Sequence, residues 1–520
     1  MYGGGENEKI NLYLSFISSL LMLSSCQDAD TSINYVDVNK PQDTISLPST
    51  TLNDEYAPNN SYRKANTFEY TIKDVNDCNN WKSLKSIGNQ KILVVPVQLR
   101  DGPTWTQQML ENLYTVFFSE NGEGTNWESV HSFFYKSSYE QLNLMGSVYC
   151  NPLKIDSYTI YTFADAYKSN ISNPTYEVAK QFYDSASTDL LKQYDQDKDG
   201  YIDSVVFCYS HKYNEDAYWA WVDYNTNFYS DTNRPAINTH MWVSYDFMND
   251  TKNSSYPKGL DAHTYIHETG HLLGLDDYYN YDTNWNAAGE LDMQSFNIGD
   301  HNIYSKLALG WVKPYIVDDT CTITIRTSSK YPDAIIFKDR NLIIDGLFGE
   351  YLILEYYTPT ILNSQDSIYQ YANRNKMYSY SGIRLYHVDA RLVKNPKKTY
   401  DLFGNVKTTN DGYTRDLIDN VAIGASNSPV TWSNLESNYA YKYYYLHLID
   451  EGLNNKLNNG FLDNKNVLWK EGSSFIDDSS LTYFLGNNGY LNDWTSVGFK
   501  FHVDSINGDY AKITFTKHRY

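Results

Sequence analysis

From Lys91 to Leu99 the chain reads KILVVPVQL, an apolar, largely β-branched run that predicts a buried strand. Pro96 removes one ladder donor from that run, which favours a place at a sheet edge. Thr104 then offers an N-cap, and Met109, Leu110, Leu113, Tyr114 and Phe117 recur at helical spacing, so a helix is expected through Phe118. A second helix is expected over Glu177 to Tyr194, followed by a buried strand over IDSVVFCY, Ile202 to Tyr209. Helices alternating with strands imply a layered α/β domain.

Beyond Pro314 the texture changes to short strand-like runs separated by Asn, Asp and Gly turns: CTITIRT from Cys321, YLILEYY from Tyr351, GIRLYHV from Gly382, GFKFHV from Gly498 and AKITFT from Ala511. Helical periodicity is lost there, and an antiparallel β-sandwich is expected. Upstream, the stretch after Cys26 is rich in Asp, Asn, Ser, Thr and Pro without periodicity and reads as a flexible tether or part of a propeptide. The expected organisation is therefore a leader over 1–26, a tether over 27–85, an α/β (α+β) domain over 86–315 and an all-β sandwich over 316–520.

Composition narrows the class. A chain of 520 residues exceeds what one core usually organises, and 41% hydrophobic with 20% charged residues suits a soluble globular protein. Fifty tyrosines, with 11 tryptophans and 21 phenylalanines, favour strands and binding surfaces for protein or glycan. A net charge of −21 repels phosphate backbones, which excludes nucleic acid as a partner.

Lys9 precedes an apolar run from Leu12 to Leu23 that is too short to span a bilayer comfortably. It ends in Leu23-Ser24-Ser25-Cys26, which resembles the lipobox of bacterial lipoproteins. That resemblance implies acylation of Cys26, a lipid link to the membrane and an extracytoplasmic, outer-membrane or cell-surface location; the acidic Gln27-Asp28-Ala29-Asp30 resembles a surface-export tag. Cys78, Cys150, Cys208 and Cys321 remain, none in a CxxC pair, so a thiolate zinc site is poorly supported. Cys78 invites two readings, a disulfide to Cys150 or a propeptide thiolate capping a metal, and the disulfide is the simpler.

The chemistry is concentrated in YIHETGHLLGLDDYYN, Tyr265 to Asn280. His267 and His271, four apart on a helix, project from one face and reach a single zinc ion. Glu268 lies beside them, suited to act as general base on an attacking water. A third ligand at Asp277 requires the helix to stop, because ten more helical residues would carry it roughly 15 Å from His267. Gly274 can end the helix in a left-handed conformation and let Asp277 return beneath the metal. Two imidazoles and one carboxylate leave an open fourth position, and the anionic Asp277 makes the metal a somewhat weaker Lewis acid than three histidines would.

HETGHLLGLDDYY resembles the immune inhibitor A-like metallopeptidases, whose pattern is H-E-x-x-H-x-x-G-x-x-D, matched by His267, Glu268, His271, Gly274 and Asp277, with Leu275 and Tyr279 in supporting places. The resemblance implies a metzincin-like fold, zinc, hydrolysis of peptide bonds in protein substrates, and a methionine turn beneath the metal for which Leu291-Asp292-Met293 is the candidate. SKLALGWVKP from Ser305, YLILEYY and GIRLYHVD also resemble the family's layout. The family carries proline before the ligand aspartate where this chain has Asp276, so a third ligand one residue earlier stays open. Glu290 as third ligand, in a thermolysin-like arrangement, is disfavoured because Asn284, Asn286 and Gly289 interrupt the second helix it needs.

Weaker signals remain. Asp195, Asp197, Asp199 and Asp203 surround Gly200 in D-x-D-x-D-G-x-x-x-D, a calcium-loop pattern, but Val206 stands where an EF-hand places its glutamate; a calcium site and a plain acidic turn are both open. His263 is expected to pack rather than ligate, Asp300-His301 to pack in a loop rather than line the cleft, and His387 to lie in a strand core. The rival to an enzyme is a surface lipoprotein that binds host protein or glycan around a vestigial or structural zinc site. Glu268 argues against it, since a structural site closes its fourth position.

Overall fold

The computed structural model describes residues 62–64, 70–99, 102–155, 174–213, 219–225, 227–249, 259–281, 286–289, 292–295, 297–338, 347–371, 376–400, 406–427, 444–453, 467–478, 481, 485 and 489–518. The leader with Cys26, most of the expected tether, Glu290 and Leu291 lie outside them.

The described chain opens with a short strand, Tyr62–Lys64 (β1), and a helix, Ile72–Cys78 (α1), before the long strand Gly88–Leu99 (β2). Helices Gln107–Phe118 (α2) and Val130–Ser137 (α3) follow, then strands Leu142–Val148 (β3) and Leu153–Ile155 (β4). Next come helices Pro174–Ser185 (α4) and Thr188–Gln193 (α5), and strands Val205–Tyr209 (β5), Trp221–Tyr224 (β6) and Thr239–Ser244 (β7). These strands form one sheet in the order β3-β2-β5-β7-β6, with β4 also beside β2. All its pairings are parallel except β6 with β7.

Three local expectations are corrected. β2 is interior, flanked by β5 on one side and by β3 and β4 on the other. Val94 accepts from Tyr149 on the β3 side and Leu93 donates toward β5, so alternation turns Pro96 to the β3/β4 side. There the ladder is interrupted between Val148 and Leu153, and the missing N–H has no strand to meet. The first helix is capped by Thr106, whose Oγ1 accepts from Met109 N at 3.2 Å, not by Thr104, because the intervening Trp105 is buried edge-on against Tyr245. The single helix expected over 177–194 is two: Ser187 caps a new one through Leu190 N, and the Arg234 guanidinium binds the carbonyls of Tyr183 and Ala186 at the end of the old one.

After helices His263–Leu272 (α6) and Ile303–Ala308 (α7) the chain becomes strand-rich. Tyr315–Val317 (β8), Cys321–Arg326 (β9), Ile335–Phe337 (β10) and Glu350–Tyr357 (β11) precede one short helix, Asn363–Ile368 (α8). Gly382–Asp389 (β12), Leu446–Leu448 (β13), Ser474–Phe475 (β14), Phe499–Asn507 (β15) and Tyr510–Lys517 (β16) follow. One sheet runs β1-β8-β10-β11-β12-β13 and a second β9-β16-β15-β14. The fold is thus a mixed α/β arrangement with several sheets.

Side-chain alternation explains the layering. Leu352 and Leu354 of β11 share a core with Ile323, Phe501, Ile513 and Phe515 of the four-stranded sheet, so the two sheets are sandwiched. Tyr351 and Ile353 point the other way, into a core shared with Leu113, Phe134, Tyr265 and Met241 of the N-terminal part. The six-stranded sheet is therefore buried on both faces, which is why YLILEYY lacks a polar face. The four-stranded sheet alternates along Phe499, Lys500, Phe501 and His502, apolar inward and polar outward. One pairing departs from the antiparallel expectation: β8 and β10 are parallel, because the chain between them leaves the sheet to supply β9 to the other layer.

Part of the stretch expected as tether is built into the fold. β1 pairs with β8, and Leu84 N donates to Leu272 O at 2.8 Å. Cys78 is a free thiol, so the expected Cys78–Cys150 disulfide is absent. Cys78 ends α1, whose neighbour Asn79 binds Val421 O, while Cys150 sits after β3 with its thiol on Val148 O. Among the described residues no helix is long and apolar enough to cross a membrane.

Candidate metal centre

Helix α6 buries Tyr265, Ile266 and Leu272 in the large core and turns His267 and Glu268, 9% and 5% exposed, to the site. It ends at Leu272. Gly274 lies at φ +101°, Leu275 N donates to Gly270 O at 3.0 Å and Gly274 N to His271 O at 2.9 Å, the paired closure of a Schellman turn. A side chain at Gly274 would be strained twice over, since a Cβ there would also sit 2.5 Å from Asn76 Nδ2 of α1. The reversal exposes Leu275 O beneath His271, and His271 Nδ1 donates to it at 2.8 Å.

His267 is oriented from another part of the chain. Its Nδ1 donates to the Met293 carbonyl at 2.8 Å, and Gln294 Nε2 returns a bond to His267 O at 3.1 Å. The turn carrying Met293 is held by Asp292, which accepts from Gln294 N at 2.8 Å and from Asn302 N and Nδ2 at 2.5 and 2.8 Å. Tyr278 N donates to Gln294 O at 2.9 Å, tying the segment after Asp277 to the same turn.

A carbonyl only accepts, so both Nδ1 atoms carry a proton, and in the neutral imidazoles that a metal requires both Nε2 atoms present lone pairs. These Nε2 atoms lie 3.2 Å apart, and Asp277 Oδ1 lies 3.1 Å from His267 Nε2 and 3.3 Å from His271 Nε2. Three lone-pair atoms thus converge in a triangle that calls for a cation. Ligands at zinc's usual 2.0–2.1 Å in a tetrahedron are separated by about 3.3–3.4 Å, so the triangle fits one face of such a site. His267, His271 and Asp277 form one of two groups among the described residues whose side chains could hold a metal ion. Asp277, not Asp276, joins the two histidines; Asp276 is exposed and not part of the group.

The electrostatics follow from the same contacts. Burial opposes a charged imidazolium, but the Asp277 carboxylate outweighs it, raising His267 and lifting His271 to about 10. Burial opposes ionisation of Asp277 as well, yet the two histidines hold it far below the carboxylate range. Burial pushes Glu268 up against the pull of His271 and His267, and its Oε2 is buried with no hydrogen-bond partner among the described residues. A carboxylate in that state is available to exchange a proton with a bound molecule.

The other expected residues fall apart from this centre. Asp195, Asp197 and Asp203 converge as the second group, while Asp199 does not join it and instead accepts from Tyr201 N at 2.8 Å. Burial raises Asp203 to about 7. His263 packs against Tyr371 at 4.4 Å between ring centroids, with Nε2 on Asn297 O. Asp300 is buried against Lys306 Nζ at 2.6 Å, and His301 lies among the rings of Phe133, Phe134 and Trp311, so neither lines a cleft. His387 is buried in β12, 2.8 Å from Glu350 Oε1. Cys78 is not part of either group.

Sequence reasoning passed over Gly270, Gln294 and Tyr281. A Cβ at Gly270 would lie 2.1 Å from the Gln294 side chain, so this glycine marks the close approach of the 292–295 turn to the helix. An unexplained glycine inside a helical pattern was the available signal. No family model and no curated protein matches the chain.

Proposed function

We propose that the chain is a zinc-dependent metalloendopeptidase with a metzincin-like arrangement, tethered by lipid on Cys26 at a bacterial cell surface. The observation that carries the reading is the triangle of His267, His271 and Asp277 with Glu268 on the next helical position, its Oε2 buried and without a hydrogen-bond partner among the described residues. A zinc ion bound there would supply Lewis acidity to a water and to the scissile carbonyl. Glu268 takes a proton from the attacking water and delivers it to the departing amine, a task served by its raised affinity for a proton. Met293 O and Leu275 O hold the two imidazoles in the tautomer that presents Nε2. Strand β6 is the antiparallel edge of its sheet and packs beside α6, and an extended peptide can add to such an edge by main-chain hydrogen bonds.

At the acidic loop, the convergence of Asp195, Asp197 and Asp203 and the buried Oδ1 of Asp195, without a partner among the described residues, support a calcium ion in a structural role. The lipid tether rests on Lys9, the apolar run and Cys26 alone.

The test is cleavage of casein by purified protein lacking residues 1–26, compared with Glu268→Ala, with zinc counted in both. The expected result is cleavage by the parent and a zinc-loaded variant slower by about 10²–10⁴-fold. A parent that holds zinc and cleaves nothing would overturn the enzyme reading in favour of a binding lipoprotein.

A further inference from the structure

Tyr281 donates its hydroxyl to Asp277 Oδ2 at 2.5 Å, while Asp277 Oδ1 is the atom facing the two histidines. The two oxygens of the carboxylate are chemically equivalent, and on a loop beyond a helix terminus nothing in the covalent structure selects which one faces inward. A donor fixed on one oxygen makes that selection. We infer that Tyr281 is a positioning residue of the metal centre: it locks the rotation of the Asp277 carboxylate and presents Oδ1 to the metal. The inference rests on the metal-site reading above.

The surroundings favour orientation over substrate contact as the role of the hydroxyl. The Tyr281 ring packs edge-on against Tyr279 at 5.3 Å, and Tyr279, itself 6.4 Å from the His267 ring, also hydrogen bonds the Asp277 carboxylate. Two tyrosines thus contact one carboxylate, Tyr281 on the oxygen that does not face the histidines. Tyr281 is 50% exposed, yet its O–H is committed to an anion, and such charge-assisted hydrogen bonds are roughly twice as strong as neutral ones. A hydrogen bond to the outer oxygen also withdraws charge from a ligand that would otherwise dampen the Lewis acidity of the metal. Spacing contributes: Tyr281 is four residues past Asp277, across a segment pinned by Tyr278 N on Gln294 O.

The experiment uses the chain lacking residues 1–26 and compares the parent, Tyr281→Phe and Tyr279→Phe. Zinc affinity is measured by competition with a chelator, and the visible spectrum is recorded after loading with cobalt(II). Phenylalanine keeps the ring contact, so Tyr281→Phe is expected to melt with the parent when both are metal-free, to bind zinc about 10–100-fold more weakly, and to shift the cobalt bands. Equal affinity and an unchanged cobalt spectrum in Tyr281→Phe overturn the assignment while leaving the metal site intact. A parent that takes up no zinc overturns the metal-site reading and the assignment together.

Discussion

His267 donates its Nδ1 proton to the Met293 carbonyl across a separation of 26 residues, at 2.8 Å. That bond fixes the ring and the tautomer of one candidate metal ligand from a turn that is not itself part of the candidate group. The turn is in turn held by Asp292, which is buried and accepts from three donors on Gln294 and Asn302. Replacing Asp292 with alanine leaves those buried donors unsatisfied, and each orphaned group costs about 1–3 kcal/mol. Asp292→Ala is expected to lose about 3 kcal/mol of stability in urea melts of the metal-free protein. It should also bind zinc more weakly, as chelator competition would show.

Gly270 is a second point of contact with that turn. An added methyl would improve helix propensity by about 0.5–1 kcal/mol, yet it would collide with the fully buried Gln294 side chain. The collision should win, giving Gly270→Ala a net destabilisation of about 2 kcal/mol. Shortening the obstacle in Gly270→Ala/Gln294→Ala should recover part of the loss; a double-mutant cycle with no coupling would refute the contact.

Zinc uptake should release protons. In the metal-free site Asp277 lifts His271 to about 10, so below that pH the imidazole holds a proton that a metal must displace. Apparent zinc affinity should rise at least about tenfold per pH unit between roughly pH 7 and 9, with His267, also raised by Asp277, adding to the slope wherever it titrates. Calorimetric titration in buffers of differing ionisation enthalpy counts the protons directly. A pH-independent affinity over that range would contradict the arrangement of the three side chains.

Asp366, in α8, offers an independent pH test. Burial lifts it to about 8 despite the nearby charge of Arg384, and Asn297 Nδ2 donates to its Oδ2 at 3.0 Å. An unfolded aspartate titrates near 3.8, so between about pH 4 and 8 the folded chain retains a proton that the unfolded chain has released. Stability contributed by this group is therefore present at low pH and is lost as pH rises through that window, on the order of 1 kcal/mol per pH unit. Asp366→Asn should flatten the slope of unfolding free energy between pH 5 and 8, whatever it does to the baseline.

How much of this was legible in one dimension depends on the range of the interaction. His267, Glu268, His271, Gly274 and Asp277 lie within eleven residues, and their relation is set by helix geometry and by the conformational freedom of glycine. The β-rich C-terminal part was legible because its strands alternate or run apolar over several residues each. Pro96 misled because a proline's missing N–H signals only that one ladder position is empty; the interruption between β3 and β4 empties it inside the sheet. The 177–194 helix misled because its break is set by Arg234, far along the chain.

What the sequence by itself determined is therefore the local chemistry: which side chains can donate lone pairs, where the helix ends, and that a carboxylate stands beside the two histidines. Tertiary structure decided the rest. Only folding brings Met293 O to His267, Gln294 against Gly270, and α1 beneath the Gly274 turn. Only folding shows that the six-stranded sheet is buried on both faces and shares a core with the helix that carries the site. The physical reason is that spacing along a regular element is fixed by backbone geometry, whereas contacts between distant segments depend on which surfaces exclude water together.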